Sequence, residues 1–138
     1  MLPAFKLGLG GKLGDGSFYW SWIAMDDLIR VVSHVLISPA MAGPVNAVSP
    51  HPVTNNEFTK TLGRILKRPT FFTVPEGFLK LAFGQMAEEA LLCSFRVMPA
   101  QLIKTGFEFN SPALDSALRR LLLLEDNNVL ARQDLERF

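Results

Sequence analysis

Five glycines fall within the nine residues from Gly8 to Gly16, and this stretch restricts the possible fold more than any other. Glycine loses more backbone freedom on ordering than any other residue, so no helix runs through it, and Asp15-Gly16 is a strong turn signal. The segment from Phe5 to Gly16 therefore reads as a loop with strand edges. Gly8, Gly11 and Gly14 fall at the Gly-x-x-Gly-x-x-Gly spacing with which some dehydrogenases cradle dinucleotide phosphates. Such a cradle works only between a hydrophobic strand and a helix whose amino end faces the pyrophosphate. Here the glycines run instead into Ser17-Phe18-Tyr19-Trp20, and the aromatic, alternating stretch from Ser17 to Met25 reads as a strand. The expectation is a glycine-rich loop that binds no cofactor.

Downstream, helices and short strands follow one another. Asp26 or Asp27 is positioned to cap a helix whose apolar residues Leu28, Val31, Val32, Val35 and Leu36 recur at helical spacing until Ser38-Pro39. Gly43-Pro44 is a turn, and Val45 to Val48 is a short buried-strand candidate closed by Ser49-Pro50-His51-Pro52. Thr54 and Glu57 have capping-box spacing, ahead of a buried stripe of Phe58, Leu62, Ile65 and Leu66. Thr70 to Val74 reads as a strand, and Pro75 as the first-turn residue of a helix reaching Phe83. Met86 to Phe95 and Pro99 to Thr105 are further helical stretches, the latter stopped by Gly106. Ser111-Pro112 opens a last helix carrying Leu114, Ala117, Leu118, Leu121 and Leu122, and residues 125–138 form a polar tail.

With 49% hydrophobic and 20% charged residues, the 138-residue chain has the apolar stock for the core of one domain. Fourteen basic residues against thirteen acidic ones give a net charge of +1, which offers no excess for phosphate backbones; nucleic acid is not expected as a partner. Cys93 is the single cysteine, so an internal disulfide is excluded, and one cysteine with two histidines cannot build a Cys/His zinc site. No apolar run approaches the ~20 residues of a spanning helix, so no membrane span is expected. The opening Met1-Leu2-Pro3-Ala4-Phe5-Lys6 lacks the pattern of a signal peptide. The expected location is cytoplasmic, or the stroma or matrix of an organelle in a eukaryote.

Side chains able to carry chemistry are few. The reductase dyad Tyr-x-x-x-Lys is missing, because the only tyrosine, Tyr19, is followed four positions later by Ile23. There is no Gly-x-Ser-x-Gly elbow either, so no catalytic residue is assigned. His34 reads as a residue of the apolar-patterned helix, whereas His51 sits between two prolines in a loop able to face a cleft. Asp26-Asp27 reads as a helix cap, Glu88-Glu89 as a solvated face and Cys93 as a small buried hydrophobe. Arg96, between Phe95 and Val97-Met98-Pro99, is the best single candidate, a permanent cation able to grip a phosphate or carboxylate with two parallel hydrogen bonds; the alternative is an arginine that caps a helix carbonyl or pairs with a surface carboxylate.

Several motifs, taken in order, resemble one family. They are Gly10-Gly11-Lys12-Leu13-Gly14, Ser21-Trp22-Ile23-Ala24-Met25-Asp26-Asp27-Leu28, Gly43-Pro44-Val45-Asn46, Ser49-Pro50 and Pro52-Val53-Thr54-Asn55. The sequence is similar to the sugar-nucleotide-epimerase-like branch of the extended short-chain dehydrogenase/reductases. Arg96-Val97-Met98-Pro99 and Gly106-Phe107-Glu108-Phe109, with Val74-Pro75 and Phe83-Gly84, resemble that branch's carboxy-terminal domain of unknown function. The chain departs from the family at Ala24, where a histidine is common, and at Ser94-Phe95, where a Gly-Gln pair is common.

The resemblance implies a mixed α/β fold, the carboxy-terminal portion of a Rossmann-type protein whose amino-terminal half carries the dinucleotide fingerprint and the Tyr/Lys dyad. Residues 1–53 would then be late elements packed beside the dinucleotide fold, residues 54–124 a substrate-side helical domain and residues 125–138 the tail. NAD(P) is implied for the whole protein and no cofactor for this chain. Asn46, His51 and Arg96 are the implied substrate-side residues, for a small molecule the sequence does not name. The implied partner is the amino-terminal half, or a second copy held through exposed apolar surface. Two functions follow: the substrate-side part of an NAD(P)-dependent epimerase or reductase, inactive alone, or a non-catalytic interaction module, with cell division as the weaker analogy.

Overall fold

The glycine-rich stretch carries more regular structure than its composition suggests. The computed structural model describes residues 2–84 and 93–123, with backbone alone at residues 79, 80, 82 and 83. Leu2–Lys6 form helix α1, and Gly11–Leu13 form strand β1, which runs parallel to β4 (Phe72–Val74) with Gly11 opposite Phe72. A β-carbon on Gly11 would collide with the Phe72 carbonyl, so glycine here permits two backbones to approach. Gly14 and Gly16 follow at positive φ, +53° and +75°, and turn the chain out of the strand. The strand edge expected in this loop is Gly11–Leu13, and its pairing spans a long sequence separation.

A second sheet pairs β2 (Tyr19–Trp20) antiparallel with β3 (Val53–Thr54), Trp20 opposite Val53. The strand expected over residues 17–25 is therefore only two residues long. Val45 to Val48, expected as a strand, forms none. One edge of β2 belongs to β3 and the other to residues 94–97, and just past the Val45–Val48 stretch the Ser49 amide donates to the Trp22 carbonyl (2.6 Å). Buried Asn55 ties the two sheets together: its amide donates to the Phe18 carbonyl (3.0 Å) and its Oδ1 accepts from the Leu13 amide (2.8 Å).

Helix α3 (Asn55–Leu66) begins at the expected capping box. Thr54 Oγ1 accepts from the Glu57 amide at 3.2 Å, and Glu57 Oε2 accepts from the Thr54 amide at 2.8 Å. The expected stripe also forms: Leu62 is buried with Phe5 and Leu122, flanked by Phe58, Ile65, Leu66 and Leu118. Helix α4 (Glu76–Phe83) follows Pro75, and α5 (Ala100–Lys104) ends before Gly106, whose φ is +72°. Helix α6 (residues 114–123) is joined to α3 by Asp115, which meets Arg64 at 3.1 Å and Arg119 at 2.6 Å. The Arg119 hydrogen bond holds the Asp115 carboxyl below the usual aspartate range. Residues 93–95 are not helical; Glu88-Glu89, the helix expected over 86–92 and the polar tail lie outside the described residues. Among the described residues no helix is long and apolar enough to cross a membrane.

Helix α2 (Met25–Ile37) departs most from expectation at its start. Its N-cap is Ala24, which makes no side-chain cap bond. Asp27 does not cap the helix; its carboxylate, fully buried, accepts the backbone amides of Asn110 (2.8 Å) and Ser111 (2.9 Å) and a bond from Arg30 Nη1 (3.2 Å). Asp26 pairs with Arg120 on α6 at 2.9 Å. An aspartate at a helix start reads locally as a cap, but here two amides 83 and 84 residues away claim the oxygens. Asp27→Asn keeps the shape yet turns an NH2 group toward one of those amides. We expect a loss of about 2–4 kcal/mol, read as a lower urea midpoint. An unchanged midpoint would show that the carboxylate is not the tie.

Candidate functional site

The second edge of β2 is taken by residues 94–97. The Tyr19 amide donates to Ser94 Oγ (3.0 Å), and the Phe95 amide donates to the Tyr19 carbonyl (2.9 Å). Ser21 Oγ then donates to the Phe95 carbonyl (2.8 Å) and accepts from the Val97 amide (2.9 Å). Between this segment, β2, β3 and α3 lies a cleft of about 410 Å³, walled by the rings of Tyr19, Trp20, Trp22, Phe58 and Phe95 together with Ser21, Val53 and Cys93. That volume lies within the ~300–1,000 Å³ of small-molecule sites. The walls are fixed by their own contacts. Trp20 meets Phe58 edge-on at 5.3 Å, and Trp22 Nε1 donates to the His51 carbonyl at 2.9 Å. Trp20 Nε1 is buried without a partner among the described residues.

Arg96 is exposed and lies over the Tyr19 ring, its Cζ 5.1 Å from the centroid, which sets a cation beside a cleft wall. Asn46 Nδ2 donates to the Met98 carbonyl at 3.3 Å and so braces the chain just after Arg96. His51 is exposed; its backbone fixes Trp22, while its ring Nδ1 lies 3.1 Å from the Pro112 carbonyl. Its imidazole is thus engaged with the 110–112 loop and is not among the cleft walls. Cys93, read as a small buried hydrophobe, is half-buried and lines the cleft. His34 faces Thr105 Oγ1 at 3.0 Å and the edge of Phe107, beside a second, shallower hollow that includes Arg30. Sequence reasoning missed the aromatic walls, although the alternating aromatics around Tyr19 were a visible signal.

Ser94 and Phe95 stand where the family resemblance predicts Gly-Gln, and both are used. A glycine has no hydroxyl to accept the Tyr19 amide, and Phe95 adds a fifth ring to the cleft. The glycine run does not fit a dinucleotide: β1 is followed by a turn and another strand rather than by a helix. The titratable side chains among the cleft walls are the Tyr19 phenol and the Cys93 thiol; no histidine, carboxylate or lysine is among them.

A domain of unknown function, DUF1731, matches residues 74–121. The epimerase family protein MT2273 of Mycobacterium tuberculosis is 42% identical over 118 residues, 86% of this chain and 39% of that protein. The human epimerase family protein SDR39U1 is 35% identical over 122 residues, and its crystal structure with NADPH superposes with a TM-score of 0.82 over 87% of this chain and 41% of that one. The chain matches the carboxy-terminal part of the epimerase family. Its mixed α/β fold is that of the corresponding portion of a Rossmann-type epimerase-family protein. A nucleoside-diphosphate sugar epimerase from Corynebacterium glutamicum also matches, with a TM-score of 0.62 at 35% identity over 86% of this chain and 22% of that one. The chain spans about two fifths of the length of the curated relatives named here, 39% and 42%.

In this epimerase-family chain the cleft depends on Ser21, which holds both a carbonyl and an amide of the opposite segment. Ser21→Ala leaves those two groups to water, at about 1 kcal/mol. Hydrogen exchange at the Val97 amide should quicken roughly fivefold, with tryptophan emission shifted to longer wavelength as the cleft loosens. Equal protection in the two proteins would show that the segment is held by other contacts.

Proposed function

We propose that the chain is the substrate-side region of an NAD(P)-dependent enzyme related to sugar-nucleotide epimerases and reductases, and that the cofactor is held by an amino-terminal part of the kind its relatives possess. The observation that carries this reading is the aromatic cleft beside Arg96, which has no dinucleotide loop of its own. It is supported by the human relative, crystallised with NADPH, of which this chain covers only 41%. Arg96 holds an anionic group of the substrate, Asn46 steadies the Arg96 segment, and His51 fixes Trp22 through its backbone. NADPH should not bind the isolated chain at micromolar concentration in calorimetry. It should bind a chimera in which the amino-terminal remainder of human SDR39U1 precedes this chain. A folded chimera that ignores NADPH, or tight binding by the chain alone, would overturn the reading.

The same reading assigns a cover to α2. Its outward stripe Met25, Ile29, Val32 and Leu36 is 68%, 61%, 54% and 80% exposed, while Val31 faces inward and is buried. Four apolar residues at spacings of four, three and four make one continuous helix face, the kind that seeks a partner. We assign the amino-terminal part as that partner, with residues 1–53 lying nearest to it. Without it, the chain should self-associate in light scattering and bind a dye specific for apolar surface, and Ile29→Glu with Val32→Glu should abolish both. A monomer without dye binding at high concentration would remove this assignment.

A further inference from the structure

The cleft's charge and size point to a substrate unlike the nucleotide sugar that one relative's name suggests. This deepens the substrate-side reading and rests on it. We propose that the cleft takes a flat, apolar ring compound bearing one carboxylate. Its walls are five aromatic rings, Val53 and the Cys93 sulfur, surfaces that reward the stacking of a flat apolar body and offer little to a sugar's hydroxyls. Ser21 Oγ, the one hydroxyl among the polar walls besides that of Tyr19, already donates to Phe95 and accepts from Val97.

Charge decides the rest. Arg30, Arg64, Arg119 and Arg120 each face a carboxylate, whereas Arg68 and Arg96 face none among the described residues, and of these two it is Arg96 that rests on a cleft ring, that of Tyr19. A guanidinium stacked on an aromatic face keeps its fork of donors free for a planar anion. One cation balances one charge. A nucleoside diphosphate brings at least two; no lining residue meets the second, and the helix amino end beside the cleft, that of α3, is already closed by the Glu57 carboxylate of its capping box. About 410 Å³ also suits a single ring with a short acidic arm better than a nucleotide joined to a sugar.

The chain has two tryptophans, Trp20 and Trp22, and both line this cleft, so their indole N–H signals report its occupancy in NMR. Phenylacetate, phenylacetamide and UDP-glucose are the probes, titrated into the full 138-residue chain. Phenylacetate should shift both indole signals saturably and bind roughly fivefold or more tightly than its neutral amide, the preference expected of a charge-assisted bond at a partly exposed site. Arg96→Gln should erase that preference while leaving the affinity for the amide as it was, and Arg96→Lys should restore only part of it. Equal binding of acid and amide, an unchanged preference in Arg96→Gln, or no shift with any probe would each overturn the proposal. UDP-glucose shifting the same signals more strongly than phenylacetate would overturn it too, yet leave the substrate-side reading standing. That reading fails separately, if the folded chimera with the SDR39U1 remainder ignores NADPH.

Discussion

A single buried carboxylate organises the chain. Asp27 sits in the first turn of α2 and accepts two consecutive backbone amides from the loop before α6. Charge-assisted bonds to backbone N–H groups are roughly twice as strong as neutral ones, and burial makes their loss more costly. The loop they hold then supplies the Pro112 carbonyl, which takes the Ser49 hydroxyl at 2.9 Å and faces the His51 ring at 3.1 Å. His51 in turn receives the Trp22 indole. One carboxylate thus sets, through three steps, the tilt of a ring in the cleft wall.

The cleft is the second consequence of a shared strand. β2 is two residues long, yet both its edges are occupied, by β3 on one side and residues 94–97 on the other. A strand filled on both edges cannot slip in register without breaking both sets of bonds, so the side chains at Tyr19 and Trp20 are held where they stand. Aromatic packing against Phe58 then fixes the face of the cleft that α3 supplies. The geometry of the cleft is therefore carried by backbone pairing, with few side-chain bonds.

Local signals in the sequence were legible because their partners are near. The Thr54–Glu57 capping box, Pro75 before α4 and Gly106 after α5 are decided within a turn of helix, and each occurs as read. The errors share one cause. Gly11 needed its distant partner Phe72 before the strand edge could be placed, and Asp27 needed Asn110 and Ser111 before it ceased to look like a cap. For the site, residue type alone singled out Arg96. Its bed on the Tyr19 ring depends on a pairing between segments 75 residues apart, which no local pattern encodes.

The parallel pairing of β1 with β4 carries a consequence for how the chain comes to its fold. Gly11 waits for Phe72, roughly 60 residues later, so the loop must close before the pairing returns any stability. At a ribosomal rate of about 5–20 residues per second, the glycine strand emerges some 3–12 s before its partner exists. Through that interval it presents an open edge with no side chain at Gly10 and Gly11 to discourage a wrong neighbour. Arrival order at the exit tunnel, rather than the final energy of the pair, governs whether that edge finds Phe72 or another chain first.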